Sequence, residues 1–494
     1  MNSLIILPVV ISLAASFIIS LFLREKENWA RVVAICFSFL TLLSVILLGK
    51  VILSSGRVVY FVGGWRIPLG ILLMADSLSW IFLFVVNFIG FCVLLYSTSY
   101  MRKYTNEPLF YVLYFLLFAG MNNVLISADF FNIYVFVEIA SLASYALVAF
   151  GLRPEELEAS FRYTVLGAFG SILIIFGVAF AYGLTGTVNI PDFMKVIMQS
   201  GKIQQLWFIM ALFLSGFAIK MALFPFHTWL PDAHSLAPAP VSAVLSGLVI
   251  KVLGFYLIIR FAGNIFVSVV GVKTVILVLG ILSMVFGGLM ALGQRDLKRV
   301  FAYSSISQIG YCAVGFGIGG YLGILGALLH FISHSFAKSL LFLDSGAIEY
   351  ITGTTKIDEL KGINDKMPKT AMLGNLGMLT IAGVPPMGIF WSKLIIVLAA
   401  IKKGYIGVAF TCVIVSIITM GYFLKVIRKV FLSKKNEVEN KNECGKTMLF
   451  SMFLLGVIVF FIGLILIPEV RSILLDKAVE IVENFNYLSI INKL

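Results

Sequence analysis

Apolar runs of roughly 20 residues recur along this chain, each long enough to cross a hydrocarbon layer about 30 Å thick as a helix. They fall at 4–23, 30–53, 77–100, 110–127, 130–151, 161–184, 206–225, 238–262, 272–292, 299–318, 321–348, 370–401, 404–427 and 447–467. The expected fold class is therefore an all-α polytopic membrane protein with about fourteen transmembrane helices. Charged residues are 12% of the 494 and mean hydropathy is +1.04. Ordinary soluble chains carry about 25% charged residues, so a soluble globule is excluded. The first run, Leu4–Leu23, has no basic stretch before it and reads as a retained helix, not a cleaved signal.

Between the runs, Arg57–Pro68 is too polar and glycine-interrupted to span, and VVYFVGGWRI reads as an exposed hairpin or loop. Residues 185–203 and 349–369 are the longest polar connections within the bundle, and 434–446 (KKNEVENKNECGK) is a charged loop. In the tail, Val470, Ile473, Leu474, Ile481, Val482 and Phe485 recur at helical spacing, as in an amphipathic helix on a membrane surface.

The net charge of +13 is scattered through short loops, which fits topology and anionic lipid and not a nucleic-acid face. Lysine and arginine are richer in the loops that follow odd-numbered runs, so the positive-inside rule places both termini outside. The five cysteines (Cys36, Cys92, Cys312, Cys412, Cys444) are far apart and form no CxxC pair. No thiolate metal site or iron–sulfur cluster is expected from them, and no cofactor motif occurs.

Ionisable residues within the apolar runs carry the functional signal, because a charge at bilayer depth costs several kcal/mol, of order ~3 on insertion scales. Lys220 lies in a run cut short by Pro225 and Pro231, and proline in a span frees carbonyls that protein or water must re-satisfy. Lys251 has apolar or small residues far to either side, whereas snorkelling suits helix ends. Glu138 is near the middle of its run. Beside Lys220 it forms either a static packing pair or one whose proton affinity depends on contact.

His330, His334 and Lys338 share one helical face at i, i+4 and i+8, and imidazole exchanges protons near neutrality. The histidine spacing also suits a metal, but neither HExxH nor a nearby cysteine supports one. Asp344, further along, is a candidate partner for Lys338. Lys393 follows a second break at Pro385 and Pro386. Broken helices in corresponding halves point to a transport site at a repeat interface. His227, Asp232 and His234 cluster around the first break, near an expected aqueous end, as caps or as a proton entry. Asp76 and Asp129 open spans, where carboxylates favour helix N-termini, and read as structural.

FAIKMALFPFHTWLPDAH, GQRDLKRVFAYSSISQIGY, HSFAKSLLFL and GVPPMGIFWSK resemble the signatures of the antiporter-like membrane subunits. These occur in respiratory complex I, membrane-bound hydrogenases and the multi-subunit Mrp cation/proton antiporters. The resemblance covers roughly residues 70–430. It implies a fourteen-helix bundle with two inverted five-helix repeats, each with one proline-broken helix. The divisions are then 1–109 for N-terminal helices, 110–262 and 272–430 for the repeats, and 431–494 for the charged loop, last span and tail.

It also implies roles. Glu138 resembles the glutamate that pairs with the broken-helix lysine Lys220, Lys251 the central relay lysine, and His330 and His334 the relay histidines. Lys393 stands where some members have glutamate. That choice, with the lack of a long lateral-helix extension, resembles the D-type component of Mrp sodium/proton antiporters most, with hydrogenase-associated subunits next. The resemblance implies a proton-translocating subunit in a prokaryotic cell membrane, with other membrane subunits as partners and sodium handled indirectly. The alternative is a pumping subunit of a hydrogenase or complex I-type redox complex, whose redox sites lie in partners.

Overall fold

The computed structural model describes residues 2–201, 203–433 and 442–484. Most of the charged loop at 434–446, and Phe485 of the tail, lie outside the described residues. In chain order the long elements are α1 (Leu7–Phe22), α2 (Glu27–Ser55), β1 (Arg57–Phe61), β2 (Leu72–Asp76), α3 (Ser77–Tyr100), α4 (Glu107–Ile126) and α5 (Phe130–Val148). Next come α6 (Pro154–Thr185), α7 (Ile190–Ser200), α8 (Ile203–Met221), α9 (Trp229–Leu236), α10 (Ala239–Ile265), α11 (Val272–Gly293) and α12 (Leu297–Ile318). The chain closes with α13 (Gly320–Thr352), α14 (Pro368–Ala382), α15 (Gly388–Lys402), α16 (Ile406–Phe431), α17 (Lys446–Leu466) and a helical stretch at 468–484.

Among the described residues, twelve helices are long and apolar enough to cross a membrane. The polytopic helical class therefore stands. α12 and the broken pair α14/α15 are not among the twelve; α12 carries Lys298 and Arg299 in its first turn, and each half of the broken pair is short.

Several boundaries differ from the sequence reading for local reasons. α6 begins at Pro154, with proline at its first position and Glu155 and Glu156 in its first turn. This polar but helix-favouring start looked like loop. The connection 185–203 contains α7, which buries Phe193 and Ile197 on one face. The expected hairpin is present: β1 pairs antiparallel with β2, Arg57 opposite Asp76. Residues 63–66 at its tip are exposed, and β2, which lies beyond the stretch read as a hairpin or loop, is fully buried. The tail packs inward, with Leu475, Ala478, Val479 and Val482 buried and the Ile481 carbonyl accepting from Asn264 Nδ2 at 2.8 Å. The tail is thus helical with one apolar face, and part of that face is packed on the bundle while Val470 and Ile473 remain exposed.

Two helices, α10 and α13, are buried on every side, as expected for helices apolar all round. They carry Lys251, His330, His334 and Lys338. Close approach depends on small residues where α11 meets α12: a Cβ on Gly287 would meet the Ser307 amide nitrogen at 2.5 Å, and one on Gly310 the Met284 nitrogen at 2.6 Å.

Two corners of the bundle have the same construction. Asp129 caps α5 through the Asn132 amide, and Asp296 caps α12 through the Arg299 amide. Each aspartate forms a β-bridge to a residue 60 positions on, Asn189 and Lys356 respectively (129 to 189, 296 to 356). Thr185-Gly186-Thr187 ends α6, and Thr352-Gly353-Thr354 ends α13, with glycine φ of 74° and 75° and the same hydroxyl–backbone turn. L-residues with side chains disfavour that φ, which accounts for glycine there.

Candidate functional site

The first broken helix leaves regular geometry after Met221: Ala222 has φ 56° and α9 restarts at Trp229. Pro225 lies within this gap. Pro231 does not break the helix; it falls in the first turn of α9, where no N–H is needed. At the break, the Ile219 carbonyl accepts from the Ala222 amide and also from Trp229 Nε1, each at 3.1 Å, and the Phe224 amide donates to Ser283 Oγ at 2.8 Å.

Lys220, in the last turn of α8, is buried and donates to Ser141 Oγ at 2.8 Å and Tyr145 Oη at 3.2 Å. Both acceptors are on α5, with Glu138 at i−3 and i−7 from them on the same face. Glu138 makes no ion pair, and its Oε1 is buried without a partner. Lys220 thus bonds the hydroxyls of the α5 face that bears Glu138, and not Glu138 itself.

Lys251 is fully buried on α10, and two wide-turn π-helical stretches, Leu245–Val249 and Lys251–Tyr256, flank it. Its ammonium donates to the carbonyls of Ser246 at 2.7 Å and Gly247 at 2.9 Å on its own helix. Such π-bulges displace backbone bonds and occur often at functional positions. α8 and α10 approach closely beside both lysines, since a Cβ at Gly254 would overlap Met221.

On α13, the His330 and His334 rings lie 6.0 Å apart, and His330 stacks on Tyr311 at 5.3 Å. His330 Nδ1 is 2.9 Å from Ser392 Oγ, beside Lys393; both nitrogens of His334 lack partners. Lys251 and Lys338 are within electrostatic reach of His334. Lys338 donates to the Phe301 carbonyl at 2.8 Å and lies over the Phe301 and Phe423 rings. Asp344, the candidate partner from sequence, does not reach it. No group of three or more metal-ligating side chains occurs among the described residues.

The second break runs from Gly383 (φ 86°) to Met387 and contains Pro385 and Pro386. Lys393, on α15, donates back to the freed Ile381 carbonyl at 3.1 Å and to Ser416 Oγ at 3.4 Å, 5.2 Å from the Tyr311 ring centre. Tyr311 thus stands between His330 and Lys393. Lys220, Lys251, Lys338 and Lys393 all donate to uncharged oxygen, and none of the four is neutralised by a carboxylate.

A model described as "NADH:quinone oxidoreductase/Mrp antiporter, TM" matches residues 127–419, more than half of the chain. The chain belongs to this antiporter-like membrane subunit family. A second model, for the N-terminus of complex I chain 5, matches residues 60–111. The D-type component of the Na(+)/H(+) antiporter of Alkalihalophilus pseudofirmus is 34% identical over 456 residues, covering 91% of each chain. The N-type component of the NADH-quinone oxidoreductase of Desulforudis audaxviator is also 34% identical, covering 87% of this chain and 86% of its own. Among solved structures, a chain of the Mrp complex from Dietzia sp. DQ12-45-1b superposes with TM-score 0.89 at 24% identity over 98% of this chain and 97% of that one. A chain of an archaeal membrane-bound sulfane sulfur reductase gives 0.91 at 27% identity over 98% of each.

Around this antiporter-like row, the flanking residues take different places. Asp232 pairs with Arg162 at 2.9 Å and Arg299 at 3.1 Å, joining α9 to α6 and α12. His227 packs between Phe224 and Phe286 at the break. His234 is fully buried with both ring nitrogens unpartnered, facing Phe342, and not at an aqueous end. Asp129 is a helix cap, and burial pushes its carboxyl up to about 6. Asp76 caps α3 and also pairs with Arg260 at 2.5 Å. Sequence reading missed Arg260; its place nine residues beyond Lys251 in the same apolar run was the signal that could have found it.

Proposed function

We propose that this chain is the proton-translocating subunit of a multi-subunit Mrp-type sodium/proton antiporter, working beside other membrane subunits in a prokaryotic cell membrane. The observation that carries this reading is the line of buried bases, Lys220, Lys251, His334, His330 and Lys393, with Lys338 at its side and no counter-ion bonded to any of these lysines. Such bases share one low-dielectric interior, so a proton on one opposes a proton on its neighbour. The row then passes charge stepwise.

Glu138 is the switch. Closed onto Lys220 it holds a proton there; withdrawn, as in this structure, it lets the proton go towards Lys251. Moving one charge across the membrane potential is worth ~2.3 kcal/mol per 100 mV, enough to drive such a step. His330 and His334 carry the proton on, and Lys393 ends the row. Sodium passes through partner subunits.

The twelve spans, counted together with α12 and the broken 368–402 segment, support a reading of fourteen crossings, and the loop charges support both termini outside. The matched corners at Asp129/Asn189 and Asp296/Lys356 support a reading as two inverted repeats, 110–262 and 272–430, each with one broken helix. Lys220→Ala tests the reading: cation-dependent proton flux in inverted vesicles is abolished while the complex still assembles. Persistent flux overturns it.

A second reading has specific support, because relatives named for NADH-quinone oxidoreductase and hydrogenase complexes match over similar lengths. In that case electron transfer in partner subunits drives the same row. Purification of the native complex separates the two, since iron–sulfur subunits copurify only in the second.

A further inference from the structure

The row leaves one buried acid unused. Asp344 lies on α13, six residues past Lys338 and about 9 Å along the helix axis. It is fully buried, and neither of its carboxylate oxygens has a hydrogen-bond partner. Facing it on α14 is Gly374, where a Cβ would overlap the carboxyl group. Glycine weakens a helix interior relative to alanine, so the cavity that houses this carboxyl is kept at a cost in helix stability.

Among the described residues, no cation bonds to Asp344. From α3 comes Tyr96, whose hydroxyl is spent on the Leu343 carbonyl at 2.9 Å, with Tyr100 behind it. On the same helix, Glu349 is engaged by Lys298 at 2.7 Å. α17 turns Met448, Ser451, Met452 and Leu455 inward. The segment 442–445 brings Glu443 and Cys444. Glu443 accepts from the Lys369 amide at 2.6 Å and Thr370 Oγ1 at 2.8 Å, closing this segment over the start of α14. Cys444 Sγ is 3.8 Å from Thr370 Oγ1.

A carboxylate ion with neither donor nor counter-ion is costly in such an interior, whereas the neutral acid is not. The cover, in turn, rests on a few polar contacts at the edge of the bundle. We propose that Asp344 is a proton-exchange site at the end of the bundle that bears the 353–367 loop, loading the Lys338 end of the row. When the 442–445 cover loosens, the acid's O–H bond breaks and its proton passes to water, leaving a carboxylate; the reverse step reloads it. The exchange rests on the proposed proton-translocating role, but the presence of a titrating acid does not.

Infrared difference spectroscopy on the assembled complex tests this. A carbonyl band of a protonated carboxyl, shifted in deuterium oxide, titrates with pH and disappears in Asp344→Asn. Proton transport in that variant falls at least about tenfold, as for loss of a positioned proton-transfer group. If Asp344→Asn does not assemble, Gly374→Ala keeps the acid but crowds it, and the band shifts in frequency and titration. A band that does not titrate, persists in Asp344→Asn or is unmoved in Gly374→Ala overturns the inference, as does wild-type transport by Asp344→Asn. None of these results touches the Lys220 reading, which fails only if Lys220→Ala keeps its flux.

Discussion

The two broken helices differ in what closes the break. In the first, the Ile219 carbonyl is held by the Ala222 amide and the Trp229 indole, and Lys220 reaches across to hydroxyls on α5. In the second, Lys393 itself takes the freed Ile381 carbonyl. One lysine thus takes no part in backbone repair and bonds to the α5 face that bears Glu138; the other is part of the repair. Under the proposed function, one helix device then serves two ends, with Lys220 the residue that Glu138 switches and Lys393 the end of the row.

The largest test of that contrast is Glu138→Gln, which removes the switch and leaves Lys393 untouched. Transport should fall about 100-fold, in the range for loss of a proton-transfer group, with assembly intact. Equal transport would make the two breaks functionally alike. Next is the pair Lys220→Met and Lys393→Met. Both remove a buried ammonium, but only the second orphans a carbonyl, so it should be less stable than the first by about 1–3 kcal/mol in thermal unfolding. Equal melting would show that Lys393 plays no part in closing its break.

Tyr145→Phe should do less. It removes one of two hydroxyls on Lys220 and leaves Ser141, costing about 0.5–1.5 kcal/mol, measured in the same assay. The smallest effect concerns pH at the start of the first unit. The folded-state carboxyl of Asp129 lies at about 6, above the ordinary aspartate range near 4. The folded chain therefore holds this proton more tightly than the unfolded one, and its contribution to stability is lost as pH rises through that window. Asp129→Asn should flatten this part of the pH–stability profile.

Much of this was legible in sequence because lipid forces the issue. Long apolar runs name the helices, and charges within them name the buried lysines Lys220, Lys251 and Lys393. What remained hidden depends on geometry across the chain. That Lys220 bonds Ser141 and Tyr145 and not Glu138 is set by helix approach, which spacing along one segment does not record. The Arg260–Asp76 pair joins residues 184 positions apart. Asp344 was visible as an acid near Lys338, but six residues place it on another face of α13, against α14. Repeated threonine–glycine–threonine turns at 185–187 and 352–354 were in plain view; only their shared bridges to Asp129 and Asp296 give them meaning as landmarks. Pro231 misled because proline at a helix start looks, in sequence, like proline at a break.

The complete burial of α10 and α13 has a consequence for how this protein is made. Both carry lysine at bilayer depth, and neither has a face suited to lipid in the finished bundle. During synthesis, α10 emerges before α12 and α13, two of the helices that later enclose it. Until they arrive, Lys251 and Arg260 need shelter from the translocation machinery or from helices already inserted. A chain halted near residue 270 would hold a helix bearing both Lys251 and Arg260 without two of the helices that enclose it.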